Sequence, residues 1–280
     1  MDTYVSIFLN SALQTWQPEA FLAVFLLGLG RILPIIGQSP FLGAKVLPHP
    51  VKIIFAVALW IIFLPTIMLY TKEELFFNTT LIFLLLKEIF VGLAIGLVMS
   101  IPFGIVQNIG MLVDHQRGGA SLMVNDPTIQ NQSSPIGTLL NLTLIYLFFV
   151  IDGPFYFFNA IVTSYEIIPI DRFLSPQFFS SKTDFWHLEI DLVNRVMVMT
   201  AQLGAPPLII ILMTDMFLGI ANRLAPQVQI TFLGMPLKSL LALLIMTLGW
   251  KVFHAAVINE VMKWFEVLRL AISSFGVGLS

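Results

Sequence analysis

Six apolar stretches, each long enough as a helix to match the thickness of a bilayer core, limit this chain more than any other feature. They occupy residues 19–37, 50–70, 79–107, 136–165, 193–221 and 229–259. A hydrocarbon core of about 30 Å takes about 20 residues of helix, and backbone N–H and C=O groups placed there must pair within the segment. Helices meet that demand over runs of this length, so the pattern predicts an all-α, polytopic, membrane-associated chain. Charge agrees: 11% of the 280 residues are charged, where a soluble domain carries about 25%. Mean hydropathy is +0.91.

A seventh, shorter element is expected at 261–276. In VMKWFEVLRLAISSFG, residues Val261, Trp264, Phe265, Leu268, Ile272 and Phe275 fall at helical spacing, with Lys263, Glu266 and Arg269 between them. This is an amphipathic helix, expected to lie on a membrane surface or to pack on a partner. The first residues, MDTYVSIFLNSALQTW, carry an acid where a secretory signal would be basic, so no cleavable signal is expected. Basic residues after the first, third and fifth stretches are Lys45, Lys52, Arg117, Arg223 and Lys238; those after the second and fourth are Lys72, Arg172 and Lys182. The excess places the first set in the cytoplasm.

The composition excludes several classes. With no cysteine there is no disulfide, thiolate metal site or cysteine nucleophile. A formal net charge of −2 offers no broad basic face for nucleic acid. The four histidines, His49, His115, His187 and His254, lack metal-ligand spacing, and neither a P-loop nor a G-x-S-x-G motif is present. Neither catalytic residues nor metal ligands nor a cofactor is expected, and an intramembrane hydrolase is the weakest reading.

Charges inside apolar runs are informative, because a charged side chain at mid-bilayer costs about 2.5–3.5 kcal/mol on insertion scales. Arg31, Lys87, Glu88 and Asp215 sit in or at the shoulder of such runs. They are expected to face protein or water, paired as Arg31 with Asp215, or Lys87 with a carboxylate on another helix. A structural ion pair, snorkelling and a proton relay all remain open. Gly92 and Gly96 stand four apart in the third stretch, a spacing that lets another helix approach closely. Pro206 and Pro207 in the fifth remove backbone donors, so that helix is expected to bend within protein.

Two segments echo one another. Arg31 to Lys52 and Arg223 to Lys238 share R-x-x-P, then Phe-Leu-Gly, then Pro-x-Lys. Either turn residues recur by chance in a biased sequence, or two helical hairpins are related.

The interruption GMLVDHQRGGASLMVNDPTIQNQSSP, Gly110 to Pro135, is rich in glycine and amides. Irregular backbone in hydrocarbon leaves polar groups unpaired, so this segment belongs in water, in protein, or along a polar conduit. A plain extramembrane loop and a yielding conduit surface both satisfy that rule. Met111 and Met123 flank it, and thioethers adapt to variable shapes, although ordinary packing explains them equally.

The segment GMLVDHQRGGASLMVNDPTIQNQSSPIGTLL resembles the T subunits of the type III secretion export apparatus, the family that includes flagellar FliR. GRILPIIGQSPFLG, KEIFVGLAIG and TDMFLGIANRLAPQVQITFLGMPLK extend the resemblance over residues 20–250, and DHQRG, NQSSP and IDGPFYFF look more like the injectisome branch. The resemblance implies kinked helical hairpins assembling, with several R and S subunits, into a helical pore complex of the bacterial inner membrane raised toward the periplasm. Unfolded secretion substrates would pass through it. The U switch subunit and the V export-gate subunit are implied as further partners, membrane lipid surrounds the assembly, and no nucleic acid takes part.

The T subunit would supply a loop that helps plug the pore, here within 110–135. Its implied residues are Gly110, Met111, Asp114, Gln116, Arg117, Gly118, Gly119, Asp126 and Pro127. Arg31, Pro34, Lys87, Glu88, Gly92, Gly96, Asp215, Gly219, Arg223 and Pro226 would serve helix or subunit packing. The rival readings are a secondary transporter for a small solute, which broken helices and midplane charges also suit, and a membrane scaffold without a conduit.

Overall fold

The computed structural model describes residues 18–42, 48–71, 75–118, 134–174, 184–224 and 230–275. The described residues form helices and contain no strand. In chain order these are α1 (Pro18–Gln38), followed by a 3-10 turn (Pro40–Leu42), α2 (His49–Tyr70), α3 (Thr79–Gln116) and α4 (Pro135–Val150). Then come α5 (Gly153–Ile167), α6 (Asp184–Leu224), α7 (Ile230–Leu248) and α8 (Trp250–Phe275). Segments Glu19–Gln38, His49–Tyr70, Thr79–Gln116 and Ile190–Leu224 are each long and apolar enough to cross a membrane, and counting α4 with α5 and α7 with α8 as broken spans brings the total to six. The protein is a multi-pass, all-α membrane chain.

Three sequence boundaries need correction. The third stretch, expected to end at 107, continues as helix to Gln116, so Gly110 to Gln116 are helical rather than loop. The fourth, expected as one helix over 136–165, breaks where Asp152 takes a left-handed φ of 57° and Gly-Pro starts the next helix. The sixth, expected over 229–259, breaks at Gly249, and the amphipathic 261–276 element is the continuation of α8 rather than a separate helix. Its apolar stripe is covered by the chain itself: Trp264, Leu268, Ile272 and Phe275 are buried, and Trp264 Nε1 donates to Val98 O at 2.7 Å. That contact, not a membrane surface, accounts for the stripe.

The chain divides into two compact units. The first comprises Met1–Ser100, Asp152–Ile190 and Trp264–Ser280; the second comprises Ile101–Ile151 and Asp191–Lys263. In the first unit α1 and α2 form a hairpin, with Trp60 of α2 meeting Phe25 edge to face at 4.8 Å, and Phe41 of the 3-10 turn meets Phe157 of α5 at 4.9 Å. Helix α1 also crosses α3 at the two glycines. A Cβ at Gly92 would strike the backbone carbonyl of Arg31, and one at Gly96 would lie 3.2 Å from Pro34 O.

No rotamer relieves a clash with backbone, so Gly92→Ala is expected to lower stability by about 1–3 kcal/mol. Gly104→Ala, where a Cβ meets nothing within 4 Å, should be neutral or stabilising by up to about 1 kcal/mol. Thermal unfolding of the detergent-solubilised variants checks both. Equal effects at the two positions would remove the close-crossing argument.

Candidate functional site

In the second unit, the end of α3 and the start of α4 are joined by a buried polar clasp around Asp114. Its side chain is 1% exposed. Oδ1 accepts from Arg117 Nε at 2.7 Å, one turn further along. Oδ2 accepts from the backbone N–H of Ile136 at 3.0 Å and, in a short hydrogen bond, from the hydroxyl of Ser134. Ser134 is the N-cap of α4: its Oγ accepts from Gly137 N at 2.9 Å. One carboxylate thus holds a cation just past the end of α3 and two donors at the N-terminus of α4, where unpaired N–H groups and the helix dipole favour an anion.

Below the clasp the two backbones touch. A Cβ on Gly110 would collide with the Cα and N of Gly137, and one on Gly137 would lie 2.9 Å from Gln107 O. Only two glycines facing each other allow that approach, and the approach brings Ser134 to Asp114. Gly118 ends the described part of this arm with φ +87, and Met235 Cγ lies 3.3 Å from where its Cβ would stand. Through the Asp114 carboxylate the clasp holds together Arg117 and Ser134, described residues on the two arms.

Among the implied plug residues, Gly110 and Asp114 are buried, Met111, Arg117 and Gly118 are half-buried, and Gln116 is exposed on the last turn of α3. Gly119, Asp126 and Pro127 lie outside the described residues. Ser134, Ile136 and Gly137 were not singled out in the sequence, although Ser-Pro followed by an apolar run marks a helix start.

The first unit holds a second buried constellation. Arg31, fully buried, makes a two-pronged pair with Glu88: Nε to Oε2 at 2.6 Å and Nη2 to Oε1 at 2.9 Å. It also donates to Ser164 Oγ at 3.1 Å and Ile168 O at 2.7 Å, and its guanidinium lies 4.2 Å from the Tyr165 ring centroid. Lys87 Nζ contacts Glu88 Oε1 at 2.8 Å and donates to Pro169 O at 2.8 Å and Arg172 O at 2.7 Å. Both cations thereby hold the carbonyls that follow α5, where cations are favoured.

The expected pairing of Arg31 with Asp215 is corrected. Each finds a partner within its own unit: Arg31 takes Glu88 of α3, and Asp215 takes Lys238 of α7. The carboxylate beside Lys87 is its own chain neighbour rather than one on another helix. The donors of Arg31 and Lys87 engage Glu88, the Ser164 hydroxyl and backbone carbonyls, and Asp171 acts on Lys87 electrostatically. Pro34 lies inside α1, Gly219 and Arg223 are exposed on α6, and Pro226 is outside the described residues.

The two echoing segments differ in structure. Phe41 and Leu42 sit in the 3-10 turn whereas residues 232–234 are inside α7, and Arg31 is buried whereas Arg223 is exposed. Among the described residues no group of three or more acidic or histidine side chains is placed to hold a metal.

The family model for "Bacterial export proteins, family 1" matches residues 22–264. Yop proteins translocation protein T of Yersinia pestis is 32% identical over 217 residues, covering 78% of this chain and 79% of that protein. Secretion system apparatus protein SsaT of Salmonella typhimurium is 29% identical over 228 residues, covering 80% and 83%. Flagellar biosynthetic protein FliR of Pectobacterium carotovorum is 27% identical over 238 residues, covering 84% and 86%. The higher identity to the translocation and secretion-apparatus relatives supports the injectisome branch. With the match running through nearly all its described helices, the chain belongs to the bacterial export proteins of family 1 and is a multi-pass membrane component of a protein-export apparatus.

Proposed function

We propose that this chain is the T subunit of an export gate, which forms with several R and S subunits the channel that carries unfolded secreted proteins across the bacterial inner membrane. The segment between Gly110 and Pro135 helps plug that channel. The observation that carries this reading is the Asp114 clasp. A polar segment that must resist ion flow and yield to cargo needs ends that stay fixed, and Asp114, Arg117, Ser134 and the Gly110–Gly137 contact supply a largely buried, hydrogen-bonded base. The U and V subunits are the further partners in this reading, and the energy for transport resides in other subunits.

Shortening residues 117–121 in the assembled apparatus tests it. The expected result is increased leak of ions and small molecules across the inner membrane, measured by dye uptake and membrane potential, with altered secretion. Unchanged permeability with normal secretion would overturn the plug. Native mass spectrometry of the tagged chain, expressed with its neighbouring genes, tests the assembly: a complex with one copy of this chain and several copies of two small apolar proteins is expected. A lone monomer or homodimer would instead point to the solute transporter.

A further inference from the structure

Two breaks in the helices of the second unit face the same space. In α6, Pro206 and Pro207 have no N–H for the carbonyls one turn back, at Gln202 and Leu203, and their rings crowd that turn. Helices α7 and α8 meet at Gly249 with a bend of 64°. Both breaks line one cavity of about 200 Å³. Ile109 of α3, 1% exposed, lines it as well, and its Cγ2 lies 3.7 Å from where a Cβ on Gly204 would stand. The cavity is thus set by sequence, at the level where two helical ladders are interrupted.

The lining decides what can enter. It contains no ionisable side chain, and Gln202 supplies its one amide. Gln202, Pro206 and Val252 are exposed, Val252 by 74%, so the cavity opens on their side of the unit. Water needs several polar partners to stay in a cavity, and apolar cavities of about 150 Å³ stay dry and take up benzene instead. A partner helix, about 10 Å across, is too wide for the space. A single hydrocarbon chain is narrow enough. It is also at hand, because α6 is long and apolar enough to cross a membrane and α7 with α8 forms a broken span.

We propose that this cavity binds one acyl chain of a membrane lipid, between the proline turn of α6 and the bend at Gly249. The chain enters past Val252 and ends against Ile109 and Trp250, whose side chains would otherwise lack packing partners on that side. The headgroup stays outside, in keeping with a lining free of charge. Bulk lipid only surrounds a helix, whereas this chain is enclosed by four helices and completes their packing. The site does not depend on the export-gate reading.

The test uses the full chain, expressed with its neighbouring export-apparatus genes and reconstituted in phosphatidylcholine vesicles with or without bromine midway along one acyl chain. Bromine quenches tryptophan emission on close contact, and a Trp250→Phe variant gives the share of emission that belongs to Trp250. That share is expected to fall by about half or more in brominated vesicles, since lipid is in large excess over the site. Emission from Trp264 in the first unit, 3% exposed, should not change. Ala256→Phe on α8 and Met246→Phe on α7 each fill the cavity from its lining. Either should remove most of the Trp250 quenching without lowering the melting temperature, because filling a cavity restores lost contacts.

Quenching that persists at full strength in both filled variants would mean ordinary contact with bulk lipid and would overturn the site. An unquenched Trp250 in the parent chain would overturn it too, whether water or an unlike subunit occupies the space. The two substitutions stand on different helices, so a folding failure of one leaves the comparison to the other.

Discussion

Glu88→Ala is expected to remove about 3–5 kcal/mol of stability, because it leaves two buried cations without the carboxylate that both contact. Arg31 would keep Ser164 and the Ile168 carbonyl, and Lys87 would keep Pro169 and Arg172 carbonyls. Lys87 also keeps the more distant Asp171 carboxylate, so the larger part of the loss falls on Arg31, whose remaining neutral acceptors do not replace a full counter-charge. The loss should appear as a lower melting temperature in detergent and as less full-length chain in the membrane. Removing Arg31 together with Glu88, as Arg31→Met with Glu88→Met, should cost less than the sum of the single changes, since deleting both members of a buried pair is often close to neutral. A double-mutant cycle reads that coupling directly. Additive losses would mean that the two side chains act separately, against the two-pronged geometry at 2.6 and 2.9 Å.

Much of this first constellation could be seen in the sequence, but its pairing could not. Arg31, Lys87 and Glu88 stand out because charges in apolar runs are costly, and Gly92 and Gly96 stand out by spacing. Which partner Arg31 takes depends on where α1 crosses α3, a tertiary fact spread over 57 residues. The crossing glycines gave the signal without naming the helix that would fill them. Helix ends were misplaced for a related reason. Hydropathy runs straight through VIDGP, where the Asp152-Gly153-Pro154 turn chemistry breaks the helix. It stops too early at Gln107 and Asn108, where helix continues because Gly110 and the next turns pack on α4. The amphipathic tail was correct in periodicity, but its cover proved to be the chain itself through Trp264 and Val98. At the Asp114 clasp, the family resemblance covered both arms, with NQSSP containing Ser134, but singled out individual residues only on the α3 side, because the contact of Ser134 and Gly137 with α3 is a tertiary fact.

Asp114→Ala is expected to cost about 3 kcal/mol or more, comparable to breaking a buried ion pair, and to act on both helices at once. It strips Arg117, whose side chain is 11% exposed, of its partner, and leaves the Ser134 hydroxyl and Ile136 N–H without the acceptor they share. Asp114→Asn can keep its amide oxygen at the Oδ2 position for Ser134 and the Ile136 N–H, but removes the charge and turns an NH2 toward Arg117, so an intermediate loss is expected. Ser134→Ala removes the N-cap and one of the carboxylate's donors, for about 1 kcal/mol. Unfolding measurements should give that order, and hydrogen exchange at Ile136 and Gly137 should quicken in the same order. Under the plug reading, ion leak through the assembled apparatus should rise from Ser134→Ala to Asp114→Asn to Asp114→Ala, because each step loosens the base on which residues 119–133 are held. A seal that survives all three, despite faster exchange at α4, would show that the segment is held by its neighbours in the assembly and that the clasp serves only to join two helices.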